Sequence, residues 1–254
     1  MLNIKRAEYT IRFLTEADFR EEPEIAIFKS VFKRIRHILC VNTEGKCITC
    51  SHSNKCLYNY ISAGDFMNLD IMPIIIKKPL VSKNYFKEGS RLNLEFMFLG
   101  DSAQHLNFVD FILKEFEVKG LFKEKYRFVI ERKNLHDICA DVTNGLINGI
   151  QILTPIDQNN NIFSYEKEKM ERLNKLYNVT DETLELIEEP YQTGFIEFNV
   201  KRPIYLGANR IKVNGFVGKL RFDKPIDETP LLAMMKIIGA GKYYGIGGGS
   251  VILM

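Results

Sequence analysis

The chain of 254 residues is 46% hydrophobic and 26% charged, the make-up of a folded globular protein, and is long enough for one large domain or two small ones. No stretch approaches about twenty uninterrupted apolar residues and MLNIKRAEYT has no apolar signal-peptide core, which points to a cytoplasmic protein with no membrane partner. The formal net charge of +3 is too small to name a nucleic-acid partner, so the placement of charge decides more than its total.

In chain order, YTIRFLTE (9–16) is predicted as a strand. EIAIFKSVFKRIRHIL (24–39) is predicted as a helix, because Ile25, Phe28, Val31, Phe32, Ile35 and Leu39 recur at helical spacing. A polar loop containing four cysteines follows. IMPIIIKK (71–78) and RLNLEFMFLG (91–100) are the next strands, Leu92, Leu94, Phe96 and Phe98 alternating strictly. Asp101, with Gln104 three residues on, is the expected N-cap of a helix through VDFILKEFEV that Gly120 stops. YRFVIERK (126–133) completes a β-α-β-β-α-β order.

The second half repeats that order. GIQILTPI (149–156) reads as a strand and SYEKEKMERLNKLY (164–177) as a helix capped by Ser164 and extended by TDETLELIEE (180–189). GFIEFNV (194–200) and FVGKLRF (216–222) read as strands, Thr229-Pro230 opens a helix that Gly239 closes, and SVILM (250–254) finishes the sheet. The fold class is α+β: two tandem ferredoxin-like (RRM-like) βαββαβ domains, residues 1–140 and 141–254.

Charge is distributed unevenly along this frame. Residues 29–56 carry Lys29, Lys33, Arg34, Arg36, Lys46 and Lys55 against Glu44 alone, and residues 201–224 carry Lys201, Arg202, Arg210, Lys212, Lys219, Arg221 and Lys224 against Asp223 alone. GAGKYYGIGGG (239–249) packs Gly239, Gly241, Gly245, Gly247, Gly248 and Gly249 around Lys242, Tyr243 and Tyr244. Glycine at this density lets backbone amides approach a phosphate. A Walker loop is excluded, because Lys236 stands where its first glycine belongs and Tyr243 where Ser or Thr would bind magnesium. The dinucleotide fingerprint fails too, since Gly239, Gly241 and Gly245 read GxGxxxG, so no nucleotide cofactor is expected.

Three stretches resemble the CRISPR repeat-processing endoribonucleases of the RAMP superfamily. LLAMMKIIGAGKYYGIGGG is similar to that family's C-terminal glycine loop, and VFKRIRHILCVNTEGKCITCSHSNKCLYNY to the arginine-rich first helix and Cys-containing loop of one of its branches. ILTPI resembles the strand that opens its second domain, although the arginine pair found in the helix after that strand is absent here. The resemblance implies binding of CRISPR repeat RNA and cleavage within the repeat, without cofactor, by attack of the substrate's own 2′-OH to leave a 2′,3′-cyclic phosphate. A non-catalytic RAMP subunit that holds guide RNA is the alternative, and subunits of a CRISPR effector complex are further partners. Lys33, Arg34, Arg210, Lys212, Gly239, Gly241, Lys242, Tyr243, Gly245, Gly247 and Gly248 are the expected RNA contacts, the glycine loop clamping the backbone through its amides.

Cleavage needs a base, an acid and a counter-charge for the phosphorane. The resemblance places the family's histidine in or just after the first helix, selecting His52 first and His37 second, with Lys55 and Tyr58 able to share a proton. His105 and His136 read as structural. Cys40, Cys47, Cys50 and Cys56 fall in one window, and the Cys47–Cys50 pair has the spacing of a zinc half-site. A structural zinc and reduced thiols that only pack are both open readings; Cys139 reads as a small core residue.

Overall fold

Alternation decides the first strand. In β1 (Ile4–Phe13), Ala7, Tyr9, Ile11 and Phe13 are buried while the residues between them are not. The computed structural model describes residues 2–42, 47–122, 125–138, 145–157, 161–188, 191–199, 203–207 and 209–254; the expected boundary at 140/141 and Cys139 lie outside these. After β1 come β2 (Ala17–Asp18), α1 (Pro23–Leu39), the short turns α2 (Leu57–Ile61) and α3 (Ala63–Phe66), β3 (Ile74–Lys77), β4 (Tyr85–Phe86), β5 (Arg91–Leu99), α4 (Leu106–Lys119) and β6 (Phe128–Ile138). Then follow β7 (Leu146–Ile156), α5 (Ile162–Tyr177), β8 (Tyr191–Asn199), β9 (Ile204–Leu206), β10 (Asn209–Ile211), β11 (Asn214–Asp227), α6 (Pro230–Ile238) and β12 (Val251–Leu253).

One antiparallel sheet has the order β3-β5-β1-β6 and the other β12-β7-β11-β8. In both, the first and third strands of a βαββαβ unit lie at the centre, which is the ferredoxin-like arrangement expected. The two sheets are stitched together along the chain: the Asn3 amide donates to Val179 O at 2.8 Å and the Tyr244 hydroxyl to Met72 O at 2.7 Å. Among the described residues no helix is long and apolar enough to cross a membrane.

Three local expectations change. Asp101 is not a cap but part of a 3-10 turn, Gly100–His105, that precedes α4; its carboxylate accepts from the Asn178 side-chain amide. Ser164 is not the cap of α5, which begins after Asn161. The helix does not continue through 180–188 either, because Asn178 turns left-handed at φ 54° and the Asn174 side chain takes the Thr180 amide at 2.9 Å. The β9–β10 hairpin escapes a periodicity reading because each strand has three residues, too few to show a period. The Thr229 cap is as expected, its Oγ1 accepting from the Leu232 amide at 3.3 Å.

Candidate nucleic-acid interface

Between Gly239 and Gly249 every residue except Lys242 is buried, because this segment runs between the two sheets. A Cβ on Gly245 would stand 2.7 Å from Met72 Sδ, and one on Gly249, at φ +62°, 1.7 Å from the Ala240 carbonyl oxygen. Only glycine fits such approaches. The amides are occupied as well: Gly239 donates to Met235 O, Gly241 to Glu166 Oε1 (2.6 Å), Lys242 to Asp157 Oδ1 (3.0 Å), Gly247 to Tyr244 O and Gly248 to Tyr243 O. An amide has one proton to give. The expectation that these residues clamp phosphate through their amides is therefore corrected, and Gly245 with them, since it is packed on Met72.

The segment is held from beneath by α5. Lys169, 1% exposed, stands 2.5 Å from Glu166 Oε2, donates to Gly239 O and Gly241 O at 3.3 and 3.2 Å, and lies 4.6 Å from the centre of the Tyr244 ring. Burial pushes the Glu166 carboxyl up, and the Lys169 ammonium opposes it. Tyr243, expected as a stacking face, is 6% exposed and its hydroxyl donates to Lys212 O at 3.1 Å, so it is a packing residue. Tyr243, Gly247 and Gly248 do border a cavity of about 660 Å³, but its Lys78 is already paired with Glu22 at 2.8 Å. Of the loop, only the Lys242 side chain reaches outward, its ammonium 3.8 Å from Asp157.

The exposed chemistry lies on α1. Lys29, Lys33, Arg36 and His37 recur at three- and four-residue spacing on one stripe flanking the face that buries Ile25, Phe28, Val31 and Ile35; Lys29 is half-buried and paired with Glu21 at 2.6 Å, which leaves Lys33 and His37 as its exposed members. This stripe, with Tyr58, Phe66 and Tyr205 from the β9–β10 hairpin, lines a cavity of about 460 Å³. Lys33, His37 and Tyr205 are exposed there. Its wall is rigidly built around buried Asp65, which accepts from the Tyr58 hydroxyl at 2.5 Å and Arg36 Nη1 at 2.9 Å while its own amide donates to Ser62 Oγ at 2.9 Å. Ala63, Gly64, Asp65 and Phe66 all have positive φ (48, 75, 57 and 65°), a run that only strong surroundings maintain. The hairpin closes onto this turn, since Asn209 donates to Asp65 O at 2.7 Å and a Cβ on Gly207 would meet Asp65 Oδ1 at 2.3 Å.

Several expected site residues are thereby reassigned. Tyr58 is buried, and burial together with the Asp65 hydrogen bond pushes its phenol far above the ordinary range, so it is a scaffold residue and not a proton donor. Arg34 forms a two-pronged pair with Glu115 of α4, both bonds at 2.8 Å, and is committed to helix packing. His52 and Lys55 are exposed on the cysteine loop and neither lines the α1 cavity. Arg210 and Lys212 are exposed on and just after β10. His105 is half-buried beside Tyr60 and Phe108, burial lowering its pKa, and His136 lies 3.6 Å from Glu8. Cys40, Cys47, Cys50 and Cys56 border one small cavity. Sequence reasoning missed Tyr205, Asp65 and the Glu166–Lys169 pair. For Tyr205 a signal existed in IYLGANRI, an apolar triplet running into the turn residues Gly-Ala-Asn.

Two ferredoxin-like units joined by a buried glycine wedge, with a basic cleft between the first helix and a hairpin of the second unit, have the fold of the Cas6 proteins. A Cas6 product complex, of the Thermus thermophilus protein, is similar at TM-score 0.53 and 10% identity over all of both chains. A Cas6-related protein of Pyrococcus furiosus gives TM-score 0.51 and 8% identity, covering 99% of this chain and 98% of that one. The partial Cas6-RT-Cas1–Cas2 complex gives 0.51 at 11% identity, with all of this chain covering 46% of that one. Residues 2–148 match the AF_1859_N family, described as an N-terminal domain, and the chain belongs to that family. No curated protein matches the sequence.

Proposed function

We propose that the chain binds CRISPR repeat RNA in the α1 cleft and cuts it by metal-independent attack of the 2′-OH on the adjacent phosphate. The observation that carries this reading is the exposure of His37 and Lys33, one turn apart, in a cavity that Tyr205 of the second unit completes. The His37 imidazole takes the 2′-OH proton as the 2′-oxygen bonds to phosphorus, the Lys33 ammonium faces the phosphorane charge, the bond from phosphorus to the 5′-oxygen breaks with that oxygen protonated by water, and the Tyr205 ring offers a stacking face for a base. Arg36 and Asp65 hold the wall and do not touch RNA. The fold shared with a Cas6 product complex supports the substrate class.

A second reading, a RAMP subunit that binds guide RNA without cutting it, is favoured by the commitment of the Tyr58 hydroxyl to Asp65, which removes the expected acid. Incubation with repeat RNA in EDTA separates the two. A single defined cut with a 2′,3′-cyclic phosphate end supports catalysis, and a shifted but intact RNA supports the subunit. An RNA neither cut nor shifted contradicts both.

A further inference from the structure

The cysteine loop has its side chains turned the wrong way for a packed loop. Among the described residues of 41–55, Cys47 is the only buried one, while the apolar Val41 and Ile48 are 85% and 72% exposed. The local structure is two turns of three residues each, Cys47–Thr49 and Ser53–Lys55, closed by Cys50 amide to Cys47 O (3.2 Å) and Cys56 amide to Ser53 O (3.3 Å). Such turns do not hold a fold by themselves. Hydrophobic packing reaches the loop only through Cys47 and Cys56, which touch the edge of the core, because Val41 and Ile48 face solvent. Cys40, Cys47, Cys50 and Cys56 share a single small cavity whose other lining is polar, Asn42, Ser53 and Asn59. Thiols that merely fill a core sit among aliphatic neighbours.

We infer that Cys40, Cys47, Cys50 and Cys56 form a four-thiolate site for one structural zinc ion. Two ligands three residues apart on one turn, with one further ligand on each side, supply the closed tetrahedral set that a structural zinc takes, with sulfur at about 2.3 Å. Among the described residues no three such side chains already stand in metal-holding geometry, so the thiols draw inward on binding and release their protons; Cys40 Sγ then gives up the bond it makes to Asn42 O at 3.2 Å.

The placement gives the ion a task. Cys40 ends α1 three residues after His37, and Cys56 starts α2, which carries Tyr58. One ion therefore ties the two elements whose side chains, Arg36 and Tyr58, meet on Asp65. Zinc is a staple for the wall of the α1 cleft, and its presence does not depend on what the cleft binds.

The test uses the full chain purified without chelator. Elemental analysis is expected to find one zinc per chain, and titration with a mercurial to release that zinc in step with four thiols. Cobalt exchanged for zinc is expected to show the thiolate-to-cobalt absorption of a tetrahedral sulfur site. Cys50→Ser should lower the zinc content to a small fraction of wild type, and Cys139→Ser should leave it unchanged. If Cys50→Ser does not fold, the mercurial titration of wild type decides alone. Absence of zinc with four freely titrating thiols would overturn the inference, as would iron and sulfide in place of zinc. RNA cleavage enters none of these readouts, so failure here is distinct from failure of the proposed function.

Discussion

The glycine segment 239–249 and the stripe Lys29–Lys33–His37 of α1 are opposites. The glycine segment is the most conspicuous feature of the sequence, yet it is buried and its amides bond to Met235, Glu166, Asp157 and its own turns. The α1 stripe has the pattern of any amphipathic helix, yet it carries exposed imidazole and ammonium groups into a cleft. Glycine density measures how closely backbones must approach something, and here that something is protein: Met72, Ala240 and Tyr243. Chemistry on a helix, by contrast, shows only in which charged residues the packing leaves uncommitted. Arg34 and Arg36 are spent on Glu115 and Asp65, while Lys33 and His37 remain exposed.

The sharpest way to break this contrast is through the pair beneath the loop. Lys169→Met leaves Glu166 buried without its cation and is expected to cost about 3–5 kcal/mol, whereas Glu166→Gln combined with Lys169→Met restores most of that. Denaturant unfolding of both variants measures it; equal losses would mean that the pair does not act as a unit. Gly249→Ala comes next, with about 1–3 kcal/mol lost to a left-handed alanine and further loss from contact with the Ala240 carbonyl. A melting temperature equal to wild type would show that the segment is looser than its burial indicates.

Smaller effects separate the two kinds of cation. Lys33→Ala together with Arg210→Ala should flatten the slope of log RNA affinity against log salt by about 0.7 per lost contact, with stability unchanged. Arg34→Ala should leave that slope alone. It should instead reduce stability above about pH 4.5, because Arg34 and then Lys119 hold the Glu115 carboxyl down at about 2 against an ordinary 4.5. A depressed carboxyl stabilises the fold above its unfolded pKa and loses that contribution as pH falls towards the folded value. Wild type is therefore expected to lose stability as pH drops from about 4.5 through about 2, and Arg34→Ala to lose less over the same window. A steeper acid loss in the variant would contradict the Glu115 assignment.

Much of the fold is legible in sequence, and the division has a physical basis. Strands β1 and β5 and helix α1 announce themselves because one face of each is buried in a continuous core, which imposes a period on the side chains, while α6, buried nearly all round, is marked by its Thr229-Pro230 start and its Gly239 stop. The tandem ferredoxin-like order follows from them. The three-residue strands β9 and β10 carry no such period, and the stretch after Asn178 keeps helical composition while a left-handed residue and the Asn174 side chain end the helix. At the site, His37 and Lys33 are readable as candidates, but nothing local distinguishes them from Arg34. Only the positions of Glu115 and Asp65, 81 and 29 residues away from their arginines in sequence, do so. Tyr58 misleads for the same reason, since its partner is invisible until the Ala63–Phe66 turn is folded.

The central claim is that chemistry resides in the α1 cleft and not in the glycine segment or the cysteine loop. Single-turnover cleavage of repeat RNA in EDTA, comparing His37→Ala with His52→Ala, tests it most directly. The expected result is a rate lower by about two to four orders of magnitude for His37→Ala at unchanged RNA affinity, with His52→Ala close to wild type. Full activity in His37→Ala, or loss in His52→Ala with its fold and metal content intact, would contradict it.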